Sequence, residues 1–145
     1  MLASSETTRT DRLERIMEDC IREARALEQI LKEERRALEN RDAKALGIAA
    51  LQKRARVAAL ETLEAKRRAG ETSVDEPGRP QDRWNSFLSI VARCNTLNTT
   101  NGAIIRLRRQ QVGDALRLVS GTGTETYGPS GTESSSRSSR ELAAI

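Results

Sequence analysis

Apolar residues recur every three or four positions along three stretches of this 145-residue chain. The first stretch runs from about Asp11 to Glu39, and its seam has these members: Leu13, Met17, Cys20, Ala24, Leu27, Leu31, Glu34 and Leu38. Such spacing is typical of one face of an α-helix. A second pattern covers about 42–69 and a third about 82–119. Residues 11–119 are therefore predicted to be all-α, an antiparallel three-helix bundle with long helices.

The helices are joined by one short and one longer connection. The hydrophobic period is interrupted at Asn40-Arg-Asp42. Asn tolerates a left-handed position at a helix end, and Asp42 can cap the next helix. So short a joint predicts an antiparallel hairpin. Residues 70–81 hold two prolines and two glycines, and we expect a loop there.

Neither end of the chain shows an apolar period. We expect residues 1–10 to be disordered, with Thr8 or Thr10 starting the first helix. Gly, Ser and Thr dominate residues 120–145, which cannot bury enough apolar surface to offset their ordering entropy. This segment is predicted to be a flexible tail.

The third helix carries a polar block inside its hydrophobic repeat. Its seam is assigned to Trp84, Leu88, Val91, Asn95, Asn98, Gly102, Ile105, Arg109, Val112, Leu116 and Val119. Because the spacing never slips, the helix is predicted to pass through Asn98–Gly102 without a break. The Asn residues are interpreted as a buried polar layer that fixes register, with direct contact to a binding partner as the alternative. In the first case Gly102 would permit close approach of a neighbouring helix.

Three further residues carry specific expectations. Trp84 and Phe87, the only Trp and the only Phe, are predicted to plug the end of the bundle where the third helix meets the start of the first and the end of the second. Lys53 falls on the seam of the second helix, where it either extends along its stem to solvent or pairs with Glu34.

The third helix is predicted to be longer than the second. At 1.5 Å per residue, about 28 residues span about 42 Å and about 38 residues span about 57 Å. If the two start level, Val112, Leu116 and Val119 lie beyond Arg109 with little to cover them. An uncovered apolar stripe favours a groove for a partner helix. The alternatives are that the loop sets the third helix lower, or that its end frays.

Composition removes several classes of function. The chain has no histidine, so the commonest general base and metal ligand are missing, and we expect no enzyme, no cofactor and no metal site. Cys20 and Cys94 are interpreted as small buried hydrophobes. The basic run at 106–109 is interpreted as a solvated face, because no aromatic residues accompany it to stack nucleic-acid bases.

Targeting signals are also lacking in the sequence. No apolar run approaches the roughly 18–20 residues of a membrane span, and the first residues lack the basic start and apolar stretch of a signal peptide. We therefore expect a cytoplasmic protein with no membrane insertion.

A set of residues in the C-terminal part resembles the FlgN family. The set is Trp84, Cys94, Leu97-Asn98, Asn101-Gly102, Ile104-Ile105, the 112–118 block, and Tyr127-Gly128 with Gly131. The resemblance implies a type III export chaperone of the flagellum. Such a chaperone binds hook-associated (hook–filament junction) proteins, prevents their premature assembly, and delivers them to the export gate.

The resemblance and the uncovered stripe together indicate candidate sites. The residues expected to bind the client, meaning the exported junction protein, are Ile105, Arg109, Val112, Leu116 and Val119. Tyr127 is the candidate for docking to the export gate, although a lone aromatic in such a segment can be incidental. Trp84, Asn98, Asn101 and Gly102 are interpreted as structural signature residues. The alternative function is a self-associating coiled-coil structural protein, and a homodimer is left open.

Overall fold

The computed structural model describes residues 2–70 and 81–121, which form three helices. These are α1 (Leu2–Glu39), α2 (Ala43–Gly70) and α3 (Gln81–Val119), and the described ranges contain no strand. The prediction of an all-α helical bundle is confirmed. With 39 residues against 28, α3 is longer than α2 by about the predicted margin. Most of the expected loop (71–80) and tail (122–145) lies outside the described residues.

The chain divides into two compact units between Asn101 and Gly102. Within the first unit, α1 packs against both other helices. Its core cluster contains Ile16, Met17, Cys20, Ala24 and Leu31 from α1 and Phe87, Ile90 and Cys94 from α3, with Leu60 and Leu63 of α2 against it. The seam predicted for α1 is therefore correct, since its members are buried or half-buried.

Ion pairs and hydrogen bonds give the helix directions in this unit. Arg9 of α1 meets Gly70, the last residue of α2, whereas Glu34 near the end of α1 meets Lys53. The α1–α2 hairpin is thus antiparallel, as predicted. In contrast, the pairs Glu18–Arg83 and Glu28–Arg93 advance together along both helices, so α3 runs parallel to α1.

The α1–α2 turn is a Schellman motif centred on Arg41, which has a φ of 53°. The Asp42 amide donates to the Ala37 carbonyl at 2.9 Å, and the Arg41 amide donates to Leu38 at 3.3 Å. The Asp42 carboxylate accepts from the Ala45 amide at 3.0 Å, which confirms it as the cap of α2. The left-handed residue is thus Arg41 rather than Asn40, whose amide still makes a helical bond.

Replacing Arg41 by glycine should stabilise the protein by about 0.5–1 kcal/mol, because glycine adopts a positive φ without the steric cost of a Cβ. The gain is measured as the free energy of unfolding in urea. Asn40→Gly is the matched control: Asn40 has no positive φ, so that variant should be no more stable than the parent. An equal gain from both variants would contradict the assignment of strain to Arg41.

Residues 2–10, for which the sequence predicts disorder, belong to α1 in the structure. Four hydroxyls there donate to carbonyls three or four residues earlier at 2.8–3.0 Å: Ser5, Thr7, Thr8 and Thr10. These bonds occupy groups that otherwise compete with the helix. The Arg9 guanidinium also donates to the Gly70 carbonyl at 2.9 Å, which satisfies a free acceptor at the end of α2.

The seam of α3 lies one position earlier than predicted. Its buried residues are Phe87, Ile90, Cys94 and Asn101, whereas Leu88 and Val91 are 46% and 37% exposed and Asn95 and Asn98 are exposed. Both stripes have the same three-and-four spacing, so periodicity does not distinguish them. The observed rotation buries Phe87 and Ile90 and leaves two amides in solvent. The predicted continuity of α3 through Asn98–Gly102 is confirmed.

The predicted aromatic pair lies near the end of α2, but the neighbouring Arg83 pairs with Glu18, which is well inside α1 rather than at its start. Trp84 and Phe87 have ring centroids 5.4 Å apart, and the Arg67 guanidinium near the end of α2 lies 4.2 Å above the Trp84 ring. Arg67 donates to both oxygens of Glu64, and this hydrogen bonding holds the pKa of the Glu64 carboxyl below its usual value. The cation is thereby fixed over the aromatic face.

Candidate functional site

The first feature to consider is a buried polar layer formed by Glu34, Lys53 and Asn101, one residue from each helix. Asn101 is fully buried, and its amide donates to the Leu31 carbonyl at 2.9 Å and to Glu34 Oε1 at 3.0 Å. The Asn101 carbonyl oxygen accepts from Arg35 Nε at 2.7 Å. Every polar group of this side chain is therefore used.

Lys53 completes the polar layer from α2. Its Nζ donates to Glu34 Oε2 at 2.8 Å and to Asn98 Oδ1 at 3.2 Å. Of the two expectations for Lys53, pairing with Glu34 is the one observed. Asn98 itself is exposed and touches the layer only through this bond, so Asn101 is the buried amide of the block.

The arrangement of the polar layer favours a structural role. In the described part of the chain, no buried side-chain nitrogen or oxygen lacks a hydrogen-bond partner. A satisfied network of this kind penalises any shift of one helix along another, because a shift would leave charges buried and unpaired. This supports the register-fixing interpretation for Asn101.

Gly102 does not have the packing role expected of it. A Cβ built at this position meets only the Arg106 guanidinium of the same helix, at 3.5 Å. That contact is ordinary in length and involves the end of a flexible side chain. The structure therefore corrects the expectation that Gly102 permits close approach of a neighbouring helix.

Gly102→Ala is accordingly expected to raise the free energy of unfolding by about 0.5–1 kcal/mol, the difference in helix propensity between the two residues. Gly113, also within α3 and with nothing within 4 Å of a built Cβ, offers an independent site for the same comparison. Chemical denaturation of both alanine variants measures the effect. A loss of stability confined to Gly102→Ala would restore the packing interpretation.

The second feature is an apolar stripe in the second unit, formed by Ile105, Val112, Leu116 and Val119. Val112, Leu116 and Val119 are 59%, 63% and 88% exposed, and Ile105 is half-buried. Their spacing places them on one side of α3. Leu107 and Leu118 add exposed apolar surface on the same helix. The candidate client-binding residues therefore share one face, together with the exposed Arg109.

The end of the stripe is defined by the end of α3. The Ser120 amide donates to the Leu116 carbonyl at 2.9 Å, and Gly121 follows with a φ of 67°. A left-handed glycine just after the last turn is a standard helix stop. Tyr127, the candidate docking residue, lies outside the described residues.

Reactive cysteine chemistry is not favoured at either thiol. Cys20 and Cys94 are both buried, and burial raises the pKa of each thiol above its ordinary value. The Cys94 Sγ also donates to the Ala24 carbonyl at 3.6 Å. A buried, protonated thiol is a poor nucleophile, so both residues act as core hydrophobes, as predicted.

These features define an all-α bundle protein with a buried polar layer and a C-terminal half-helix that presents an exposed apolar stripe. Among the described residues, no helix combines the length and the apolar character needed to cross a bilayer. A family model described as FlgN protein matches residues 1–135. The chain belongs to the FlgN family. Neither the curated proteins nor the solved structures contain a match to it.

Family membership gives the general role. FlgN proteins are flagellar export chaperones, and the family is not known for enzymatic activity. The chain is thus a chaperone of flagellum assembly at this level of description. The sequence located the exposed apolar positions of α3 and indicated Asn98 and Asn101 as structural residues, but the predicted seam passed through Asn95 and Asn98 rather than Asn101. The signal that identifies Asn101 is its position on the stripe of Phe87, Ile90 and Cys94.

Proposed function

We propose that this protein binds hook–filament junction proteins in the cytoplasm through the apolar stripe of α3, prevents their premature assembly, and delivers them to the flagellar export gate. The observation that carries the proposal is the exposure of Val112, Leu116 and Val119 on one face of a continuous helix in a member of the FlgN family. Exposed apolar surface of this kind is typical of a contact with another protein.

The physics of the stripe suits reversible capture of a helix. Fully burying a Val or Leu side chain contributes roughly 1.5–3 kcal/mol before ordering costs, so a few such residues can support a useful affinity. An amphipathic client helix placed along α3 would bury its own apolar face and lose the surface it needs for assembly. No energy source is required, because binding alone shifts the client away from assembly by mass action.

A titration of the full chain with junction proteins, read by calorimetry and by hydrogen exchange, tests the proposal. We expect slower amide exchange across residues 105–119 in the complex and little change in α2. Light scattering of the free protein addresses the alternative of a self-associating structural protein. A complex whose protection falls only on α1 and α2, or a stripe already covered by a second copy, would contradict the proposed site.

Delivery to the export gate is assigned to Tyr127. This residue is the only Tyr of the chain and stands apart from the stripe in sequence, so it can contact a second partner while α3 holds the client. Tyrosine offers a large contact area with a polar tip at low entropic cost. Secretion of junction proteins by cells carrying Tyr127→Ala measures this role, and normal secretion would contradict it.

A further inference from the structure

The apolar stripe lies in a strongly basic part of the chain. Residues 102–121 contain four arginines, Arg106, Arg108, Arg109 and Arg117, and one carboxylate, Asp114. The net charge of this half of α3 is therefore +3, four positive charges minus one negative. So much positive charge beside an apolar face creates an electrostatic potential that favours a partner of opposite charge.

Two of the arginines border the stripe directly. Arg108 and Arg109 lie three and four residues after Ile105, and four and three residues before Val112. Residues three and four apart are neighbours on a helix surface, so both side chains stem from the surface between these apolar residues. Arg106 directly follows Ile105 and therefore lies on the adjoining side of the helix, about 100° around from it. The stripe is thus lined by guanidinium groups.

The single carboxylate does not neutralise the border of the stripe. Asp114 is two residues from both Val112 and Leu116, which turns it about 160–200° away from them around the helix. It is also occupied, since its Oδ1 accepts from Arg117 Nη2 at 2.6 Å. Arg106 and Arg109 are exposed and form no ion pair with any residue that the structure describes.

From this charge distribution, and resting on the proposed function, we infer that the segment held by the stripe is an amphipathic helix with acidic side chains along the borders of its apolar face. The apolar contacts supply most of the affinity, while the charges set the orientation and the association rate. Arginine is suited to this task because its planar guanidinium binds a carboxylate with two parallel hydrogen bonds. A basic helix of equal apolar content would be repelled.

Two designed helical peptides of equal length test the inference. Both carry the same leucine stripe, and its borders are glutamate in one peptide and lysine in the other. At about 0.05 M salt, the glutamate peptide should bind the full chain at least about tenfold more tightly. The preference should fade near about 1 M salt, where the Debye length is about 3 Å. In the Arg106→Glu, Arg109→Glu variant, the preference should reverse.

A charge reversal elsewhere provides the matched control. Arg54 is exposed on α2 and has no ion pair among the described residues, so Arg54→Glu should leave the peptide preference unchanged. Equal affinity for both peptides, a preference for lysine, or binding of neither would overturn the inference. Tighter binding of phosphatidylglycerol vesicles or of a single-stranded oligonucleotide than of the glutamate peptide would overturn it too.

Titrating junction proteins in parallel separates this inference from the proposed function. If they bind the Arg106→Glu, Arg109→Glu variant as tightly as the parent, the charge inference is wrong and the proposed function stands. If they bind neither protein, the proposed function is wrong. We expect junction proteins to bind the parent protein and to bind the Arg106→Glu, Arg109→Glu variant at least about tenfold more weakly.

Discussion

Replacing Val112, Leu116 and Val119 together by aspartate should weaken junction-protein binding by more than about a hundredfold. Three apolar side chains that the client would cover in the complex are lost, which removes several kcal/mol of binding free energy. Each tenfold in affinity corresponds to about 1.4 kcal/mol. The fold should survive, because all three side chains are mostly exposed in the free protein. Calorimetry with junction proteins measures the first effect, and circular dichroism with urea unfolding measures the second.

Two companion variants make this result interpretable. Because aspartates near a helix C-terminus oppose the helix dipole, the triple glutamine variant checks the loss of binding without that electrostatic cost. Leu51→Asp introduces the same chemistry at an exposed leucine of α2 and should leave binding intact. Binding retained by the triple aspartate variant, or lost equally in Leu51→Asp, would refute the assignment of the stripe.

The second large effect is expected in the polar layer. Asn101→Ala should lower the free energy of unfolding by about 2–4 kcal/mol, because Glu34 Oε1 would lose its buried donor and Arg35 its acceptor. Urea unfolding measures the loss. The control is Asn95→Ala, at an exposed position of α3, where we expect a change within about 0.5 kcal/mol.

The same layer predicts a recovery when its three members, Glu34, Lys53 and Asn101, are replaced together. Changing Glu34 and Lys53 to methionine and Asn101 to leucine exchanges a satisfied polar network for apolar packing of similar volume. Such exchanges are often neutral or stabilising, whereas breaking one partner is costly. The free energy of unfolding of the triple variant should therefore exceed that of Asn101→Ala by at least about 2 kcal/mol. A triple variant as unstable as the single one would mean that shape rather than unpaired polarity limits the site.

The bundle and its helix lengths were accessible from the sequence because the apolar seam of α1 is unambiguous. Its eight members keep the four-and-three spacing through residues 13–38, and all of them are buried or half-buried. The rotation of α3 was not accessible in the same way. Leu88 and Val91 form a stripe as regular as that of Phe87 and Ile90, and an Asn follows in each. Which stripe is buried depends on contacts with α1, above all the hydrogen bond from Asn101 to the Glu34 carboxylate. Such a contact between helices cannot be read from the local sequence of α3.

The start of α1 escaped prediction for a related reason. A run of Ser and Thr has weak helix propensity, and local rules assign it to caps or turns. The bond from Arg9 to the Gly70 carbonyl connects residues 61 positions apart, which no local rule contains. The exposed stripe was easier to predict, because the length of a regular repeat can be compared with the length of its neighbour directly.

The parallel arrangement of α1 and α3 sets an order of events while the chain is being made. The contacts between these helices join residues 65–70 positions apart, whereas those between α1 and α2 range from 19 positions (Glu34–Lys53) to 61 (Arg9–Gly70), and all of them are complete once Gly70 has emerged. On the ribosome, the hairpin can therefore close long before Cys94 and Asn101 emerge to complete the core. The stripe is translated after both. By the time the stripe leaves the ribosome, every residue that builds the core of the first unit has already left it.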